Sequence, residues 1–314
     1  MHIIEEEELG LFVEELKSHW PETLPIYYLA QNHLLKNQFA WPGIEFVVDC
    51  FPNHKASIAR PKKNQNNVAI PPRFMCHTAH TFFAINEEAL GNLLQEPGVV
   101  DWSKPTFFYP VSRSLYPKLA EICRVHGSYM GHEEREDLQA FVVVFRHEKL
   151  NPGPPLPEGF TLKPLERHHL ETVASIWAHG GRTRATLEYM QYLFDTGFPT
   201  LGIFNPDGKL AAYAITGADF VFCAAYVFPE YRNHKLFHIL TYEWCQIAHK
   251  LGVELPFALV SEQNVPSHKA LFRVGADRAG WDICYGMYVP KGHEDPDDEL
   301  IQWRDGLGGI VWKT

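Results

Sequence analysis

The sequence has no apolar run of about 18 residues, the length that would span a bilayer, so no transmembrane helix is expected. Positive charge is in short supply. Lys and Arg number 28 against 38 Asp and Glu, for a formal net charge of −10. A general nucleic-acid binder shows the opposite balance, so nucleic acid is not an expected partner. Cysteine is sparse and scattered, and Cys50, Cys76, Cys123, Cys223, Cys245 and Cys284 include no CxxC pair. They read as reduced thiols of a cytosolic-type compartment rather than a disulfide framework. His77-Thr78-Ala79-His80 has no third ligand at a persuasive spacing, so no metal is expected. The first residues, MHIIEEEELG, have neither the basic and apolar regions of a signal peptide nor the arginines of a transit peptide. A cytoplasmic protein is expected.

The chain has 314 residues, 46% of them hydrophobic, enough for a sizeable core and for more than one domain. NPGPPLPEG at 151–159 cannot continue a helix or a central strand, because it packs proline and glycine together. It divides the chain into an N-terminal α/β domain (1–150) and a second domain (160–290), followed by a tail (291–314). The tail begins with an acidic run and ends in apolar GGIVW.

The second half reads in order as strand FTLKPL, a helix over about 168–179, the Gly180-Gly181 break, and a helix over about 184–194. PTLGIF and LAAYAITG follow as strands around the turn signal NPDG at 205–208. DFVFCAAYVF is a longer strand, and Leu236, Leu240, Trp244, Ile247 and Leu251 then recur at helical spacing. ELPFALVS is a strand, a helix over 268–274 stops at Gly275, and WDICYGMYVP closes the series. In the first half, helices are expected near 9–18, 87–94 and 114–126, with strands at IEFVVDCF and AFVVVFR. RPKKNQNNVAIPPR at 60–73 reads as a polar loop.

Strand, polar loop, helix is a phosphate cradle, because free N–H groups at a helix start attract anions. Here the loop is Arg232-Asn233-His234-Lys235, which with His238 gathers positive charge in a negative protein. Lys235 and Phe237 stand where such loops use glycine. A left-handed backbone at Lys235 would cost about 1–2 kcal/mol.

The order β-α-α-β-β-β-α-β-α-β, with its polar loop after the fourth strand, resembles the GNAT acyl-CoA N-acyltransferase fold. Six stretches resemble the glycine N-acyltransferase family in particular. They are Val47-Val48-Asp49-Cys50-Phe51-Pro52, Trp177-x-x-Gly180-Gly181, Phe198-Pro199-Thr200 with Pro206-Asp207-Gly208, Pro229-Glu230-Tyr231-Arg232, His249-Lys250-Leu251-Gly252, and Asn264 after the next strand. The resemblance implies an α/β (α+β) chain whose C-terminal half has the GNAT fold. The first half would pack against it, open to reading as a degenerate second copy, and close the acceptor side.

It further implies coenzyme A or acyl-CoA as co-substrate and a small amine as acceptor, with the pyrophosphate on Val227, Arg232, Asn233, His234, Lys235, Leu236 and Phe237. Asn264 would border the pantetheine arm or simply cap a helix. Trp177, Gly180 and Gly181 would wall the acceptor pocket. Two positions depart from the family. Its base, a glutamate eight residues before Pro229, is Val221 here. Asp219 is the remaining candidate base, placed either on the strand or in the turn after Gly217. The last helix offers Leu271 and Phe272 where many GNAT enzymes place a tyrosine acid. Three functions stay open: an N-acyltransferase acting on an amino acid such as glycine, an acyl-CoA or metabolite binder without catalysis, and a protein-interaction module that leaves the loop empty.

Overall fold

The computed structural model describes residues 1–62, 73–74, 77–131, 138–177 and 184–292. The polar loop of 60–73 for the most part, Cys76, Gly180-Gly181 and the tail from residue 293 lie outside the described residues. The first half runs β1 (His2–Ile3), α1 (Leu9–Lys17), α2 (Leu24–Leu34), β2 (Ile44–Val48), β3 (Ala56–Pro61), β4 (Arg73–Phe74), β5 (His77–Ala84) and α3 (Glu87–Gln95). It ends with β6 (Thr106–Ser112), α4 (Tyr116–His126), β7 (Gly127–Met130) and β8 (Gln139–Val144). The second half runs β9 (Thr161–Lys163), α5 (His169–Ile176), α6 (Arg184–Thr196), β10 (Thr200–Phe204), β11 (Leu210–Thr216) and β12 (Val221–Val227). It closes with α7 (Leu236–Lys250), β13 (Phe257–Ser261), α8 (Val265–Val274) and β14 (Asp277–Pro290).

With the short strands β4 and β7 set aside, both halves follow the same element order. They also share one sheet, ordered β1-β2-β3-β5-β6-β14-β8-β13-β12-β11-β10-β9. Its centre is an exchange. β8, from the first half, pairs with β13 of the second. β14, from the second half, pairs with β6 of the first. Each half thus lends its last strand to the other. The largest core cluster accordingly draws on both, from Phe12 and Tyr28 to Tyr213 and Trp244.

Residues 151–159 stay outside the sheet and have no regular structure. The start of the segment is nonetheless fixed. Asn151 N donates to Val274 O at 2.8 Å, and Asn151 O lies 2.8 Å from His238 Nε2. That contact turns His238 toward the linker rather than toward the loop before α7. Gly275, the left-handed cap of α8 at φ 103°, is required here for a second reason. A Cβ on it would meet Lys149 O at 2.1 Å.

Only two strand pairs among the described residues are parallel, and both splay. β12 and β13 pair at Val221↔Phe257 and Phe222↔Ala258, then part. β5 and β6 pair at Thr78↔Thr106, Ala79↔Phe107 and His80↔Phe108, then part. Each pair therefore leaves a cleft at its C-terminal end, where ligands of open α/β sheets bind.

Candidate acyl-CoA site

α7 follows from its pattern. Leu236, Ile239, Leu240, Trp244, Cys245 and Ala248 fall on one buried stripe. Trp244 Nε1 anchors the helix to the sheet through Thr216 Oγ1 at 2.8 Å. The helix start lies at the mouth of the β12–β13 cleft and has no side-chain cap. No hydrogen bond from the backbone N–H groups of Asn233, His234, Lys235, Leu236 or Phe237 is found among the described residues. Unbonded donors at a helix N-terminus form an anion site.

The loop reaches this shape without glycine. Asn233 and Lys235 are both left-handed, at φ 69° and 58°. Asn tolerates that region, whereas Lys235 adopts it at a cost of about 1–2 kcal/mol. Lys235→Gly is therefore expected to raise stability by about 0.5–1 kcal/mol, the relief being partly offset by backbone entropy. Urea unfolding checks this, and a loss of stability would contradict the left-handed cap.

The approach to the loop is held by two of the family-like stretches. Asn205 Nδ2, in the hairpin before Pro206-Asp207-Gly208, donates to Tyr231 Oη at 2.9 Å. Arg232 Nε donates to Val227 O at 3.4 Å, and its guanidinium lies 5.8 Å from the Tyr226 ring. Neither Arg232 nor Lys235 makes an ion pair among the described residues.

β12 is bent at Ala224, which is left-handed at φ 47°, and its register against β11 shifts there. Past the bend, Phe228 N donates to Ala211 O at 3.0 Å. Ala212 and Val227 thus form a non-hydrogen-bonded pair, so the Val227 N–H and C=O turn away from β11 toward the side where β13 has parted. That donor is available to an oxygen lying in the cleft.

Asp219 lies just before the β12–β13 pairing, two residues ahead of Val221. It sits in the turn after Gly217 rather than on the strand, with Phe220 N donating to Gly217 O at 2.9 Å. Oδ1 accepts from Val221 N at 3.3 Å, while Oδ2 is buried without a partner. Burial pushes the carboxyl up from 3.8 to about 7, against the pull of backbone N–H groups. The turn returns this carboxylate to the neighbourhood of the Val221 side chain. A Cβ on Gly217 would meet Val221 Cγ1 at 2.6 Å, Asp219 Oδ1 at 3.0 Å and Tyr189 Oη at 3.6 Å.

Tyrosines surround this point from both halves. Tyr109 comes from β6, Tyr189 from α6 and Tyr285 from β14. The Tyr109 and Tyr285 rings stack at 5.7 Å. Tyr189 Oη accepts from Ala218 N at 3.2 Å. Burial, and then the Asp219 charge, raises the Tyr109 hydroxyl well above its usual range. Burial raises Tyr189 and Tyr285 too, with the Asp219 charge among the further causes. Burial likewise raises the Cys223 thiol, which remains a thiol at neutral pH. Sequence reasoning missed all three tyrosines. Tyr109 and Tyr285 sit in ordinary apolar strands that the strand exchange brings together, and Tyr189 sits on a helix with a mixed polar pattern.

The other expected site residues are less involved. Asn264 caps α8, its Oδ1 accepting from Ser267 N at 3.2 Å. Trp177 ends α5 and packs against the main core. On α8, Leu271 is buried and Phe272 is exposed. Among the described residues, no group of three His, Cys, Asp or Glu is placed to hold a metal, and no helix is long and apolar enough to cross a membrane.

A family model described as aralkyl acyl-CoA:amino acid N-acyltransferase matches residues 1–198. The chain belongs to that family. It is 21% identical over 268 residues to rat (Rattus norvegicus) glycine N-acyltransferase-like protein Keg1, covering 80% of this chain and 86% of that one. Among solved structures, an X-ray structure of a Drosophila protein matches with TM-score 0.73 at 17% identity, over 92% of this chain and 98% of that one. A GCN5-related N-acetyltransferase from Sphaerobacter thermophilus matches with TM-score 0.53 at 13% identity, over 91% and 94%. Such likenesses establish the fold, and the fold is that of the GNAT acyl-CoA N-acyltransferases. For this N-acyltransferase family member, acyl-CoA is the implied co-substrate.

Proposed function

We propose that the protein moves an acyl group from acyl-CoA to the nitrogen of a small amine, an amino acid such as glycine, with Asp219 as base. The observation that carries this reading is a buried carboxylate with one unpartnered oxygen. It lies beside the side chain of Val221, the residue that stands where the resemblance puts the family's glutamate. The pyrophosphate rests on the N–H groups of residues 233–237, with Arg232 and Lys235 beside it. The pantetheine arm passes the Val227 N–H and carries the thioester carbon down the cleft. Asp219, near half-ionised at neutral pH, takes a proton from the amine as nitrogen attacks that carbon. The C–S bond of the tetrahedral intermediate then breaks, and the coenzyme A thiolate takes up a proton to leave as the thiol. Tyr109 and Tyr285, kept neutral by burial, lie within the reach of the Asp219 charge.

The same reading treats 1–150 and 160–290 as two units joined by 151–159, with 291–314 as a tail. Tyr109 is what the first unit adds to the acceptor side. The scattered thiols support a reducing, cytoplasmic setting.

A second reading, an acyl-CoA binder without catalysis, is favoured by Val221 and by the missing loop glycines. Calorimetry with coenzyme A, followed by turnover on a panel of amines, separates the two. Saturable binding is expected, weakened about tenfold or more by Arg232→Glu, since a lost charge-assisted contact is worth about 1.5–3 kcal/mol. No heat and no thermal shift at millimolar coenzyme A would overturn both readings. Binding without turnover on any amine would leave the second.

A further inference from the structure

The cleft between β5 and β6 is the first half's counterpart of the acyl-CoA cleft, and its chemistry is different. In the second half the helix start beyond the cleft is uncapped. In the first, Asn86 Oδ1 accepts from Ala89 N at 2.9 Å and closes the N-terminus of α3. Glu87 and Glu88 occupy that helix's first turn. A polyanion such as coenzyme A is thereby turned away.

The space itself remains. A cavity of about 310 Å³ opens between the parted strands, at the lower end of the ligand-pocket range of about 300–1,000 Å³. Phe83 and Trp281 give it apolar walls. Ser112 and Ser114 give hydroxyls, with their Oγ atoms 3.0 Å apart. His19 and Glu22 reach in from the turn between α1 and α2. The His19 ring packs at 4.9 Å on Phe83. Trp281 is 4% exposed, and its buried indole N–H has no partner. Glu22 makes no ion pair among the described residues, and Arg113, between the two serines, is already paired with Glu262 at 2.7 Å. The wall set therefore contains a free carboxylate, the aromatic side chains of Phe82, Phe83 and Trp281, and no lysine or arginine.

We propose that this cleft is a second ligand site, for a compact organic ammonium with an aromatic or aliphatic body. The ammonium pairs with Glu22, and the body lies against Phe83 and Trp281, where a cation also gains from the ring faces. The serine hydroxyls meet a polar group elsewhere on the ligand. The site uses none of the acyl-transfer residues, so it stands or falls separately from the proposed reaction.

Calorimetry on the full chain tests it, with phenethylamine as probe and 3-phenylpropanoate as its anionic counterpart. Saturable binding of the amine and none of the anion is expected. Glu22→Gln should weaken the amine about tenfold or more, since hydrogen bonds to charged groups contribute about 1.5–3 kcal/mol. Ser114→Trp, which fills the cleft from an exposed position, should abolish binding, and Asp219→Asn should leave it unchanged. No binding of the amine at millimolar concentration would overturn the proposal. So would binding that survives both Glu22→Gln and Ser114→Trp, or binding lost in Asp219→Asn, which would place the amine in the acceptor pocket.

Discussion

Asp219→Asn is expected to lower turnover by about 10²–10⁴-fold, the usual contribution of a positioned general base. Asn keeps the size of the side chain and an oxygen to accept from Val221 N, so the turn should survive. Two pH dependences accompany the loss. In the wild type, kcat/KM should rise as Asp219 ionises through about pH 7, and the Asn variant should lose that limb. Stability runs the other way. The folded carboxyl titrates at about 7 against an ordinary 3.8, so between those values the folded state holds a proton that the unfolded state has released. By linkage, this group's effect on stability worsens as pH rises across that window and levels off above it. The shift corresponds to about 4 kcal/mol at most, taking about 1.36 kcal/mol per unit. Asp219→Asn should therefore be more stable than wild type at pH 8 and close to it at pH 4. Rate profiles and urea midpoints at the two pH values decide. An Asn variant with unchanged turnover and an unchanged rate limb would remove Asp219 from the reaction.

The second half was far easier to read than the first, and the reason is physical. Its helices are amphipathic, as the buried stripe of α7 shows, and its strands are separated by strong turn signals such as Asn205-Pro206-Asp207-Gly208. α2 gave no such signal. Leu24, Ile26, Tyr27, Tyr28, Leu29 and Ala30 are all buried, so it has little polar face to set a period. β3 hides a buried arginine. Arg60 pairs with Glu45 at 2.9 Å and also donates to Gly98 O and Val99 O, which makes a charged residue compatible with an interior strand. β5 and β6 went unseen for a related reason, since His80, Thr81 and Thr106 are buried polar residues in strand positions.

The site was legible in part. The loop before α7 followed from charge and element order, and so did the question of a left-handed Lys235, but the left-handed Asn233 did not. Asp219 followed from its nearness in sequence to Val221. Its approach to the Val221 side chain depends on a turn that only the folded chain shows. The exchange of β8 and β14 had no local signature, because each strand is equally apolar whichever neighbour it pairs with. That exchange carries Tyr109 of the first half to Tyr285 of the second, so the acceptor side could not be assembled from either half alone.

Returning a carboxylate to position 221 in the Asp219→Asn background is the sharper test of the shared location. Val221 Cγ1 and Asp219 Oδ1 both lie within 3.0 Å of one point beside Gly217. A glutamate at 221 should therefore present its oxygens to the same amine. Val221→Glu alone would set two buried carboxylates side by side, and like charges there would hold a proton between them. The double variant avoids that conflict, because the amide N–H introduced by Asp219→Asn can donate to the new carboxylate. Turnover should recover at least about tenfold over Asp219→Asn, or about 1.4 kcal/mol of barrier. The pH limb should return, moved to wherever the new group titrates. A double variant that folds, binds coenzyme A as wild type does, and stays at the activity of Asp219→Asn would show that position 221 does not face the amine. The base would then have to lie elsewhere on the cleft wall.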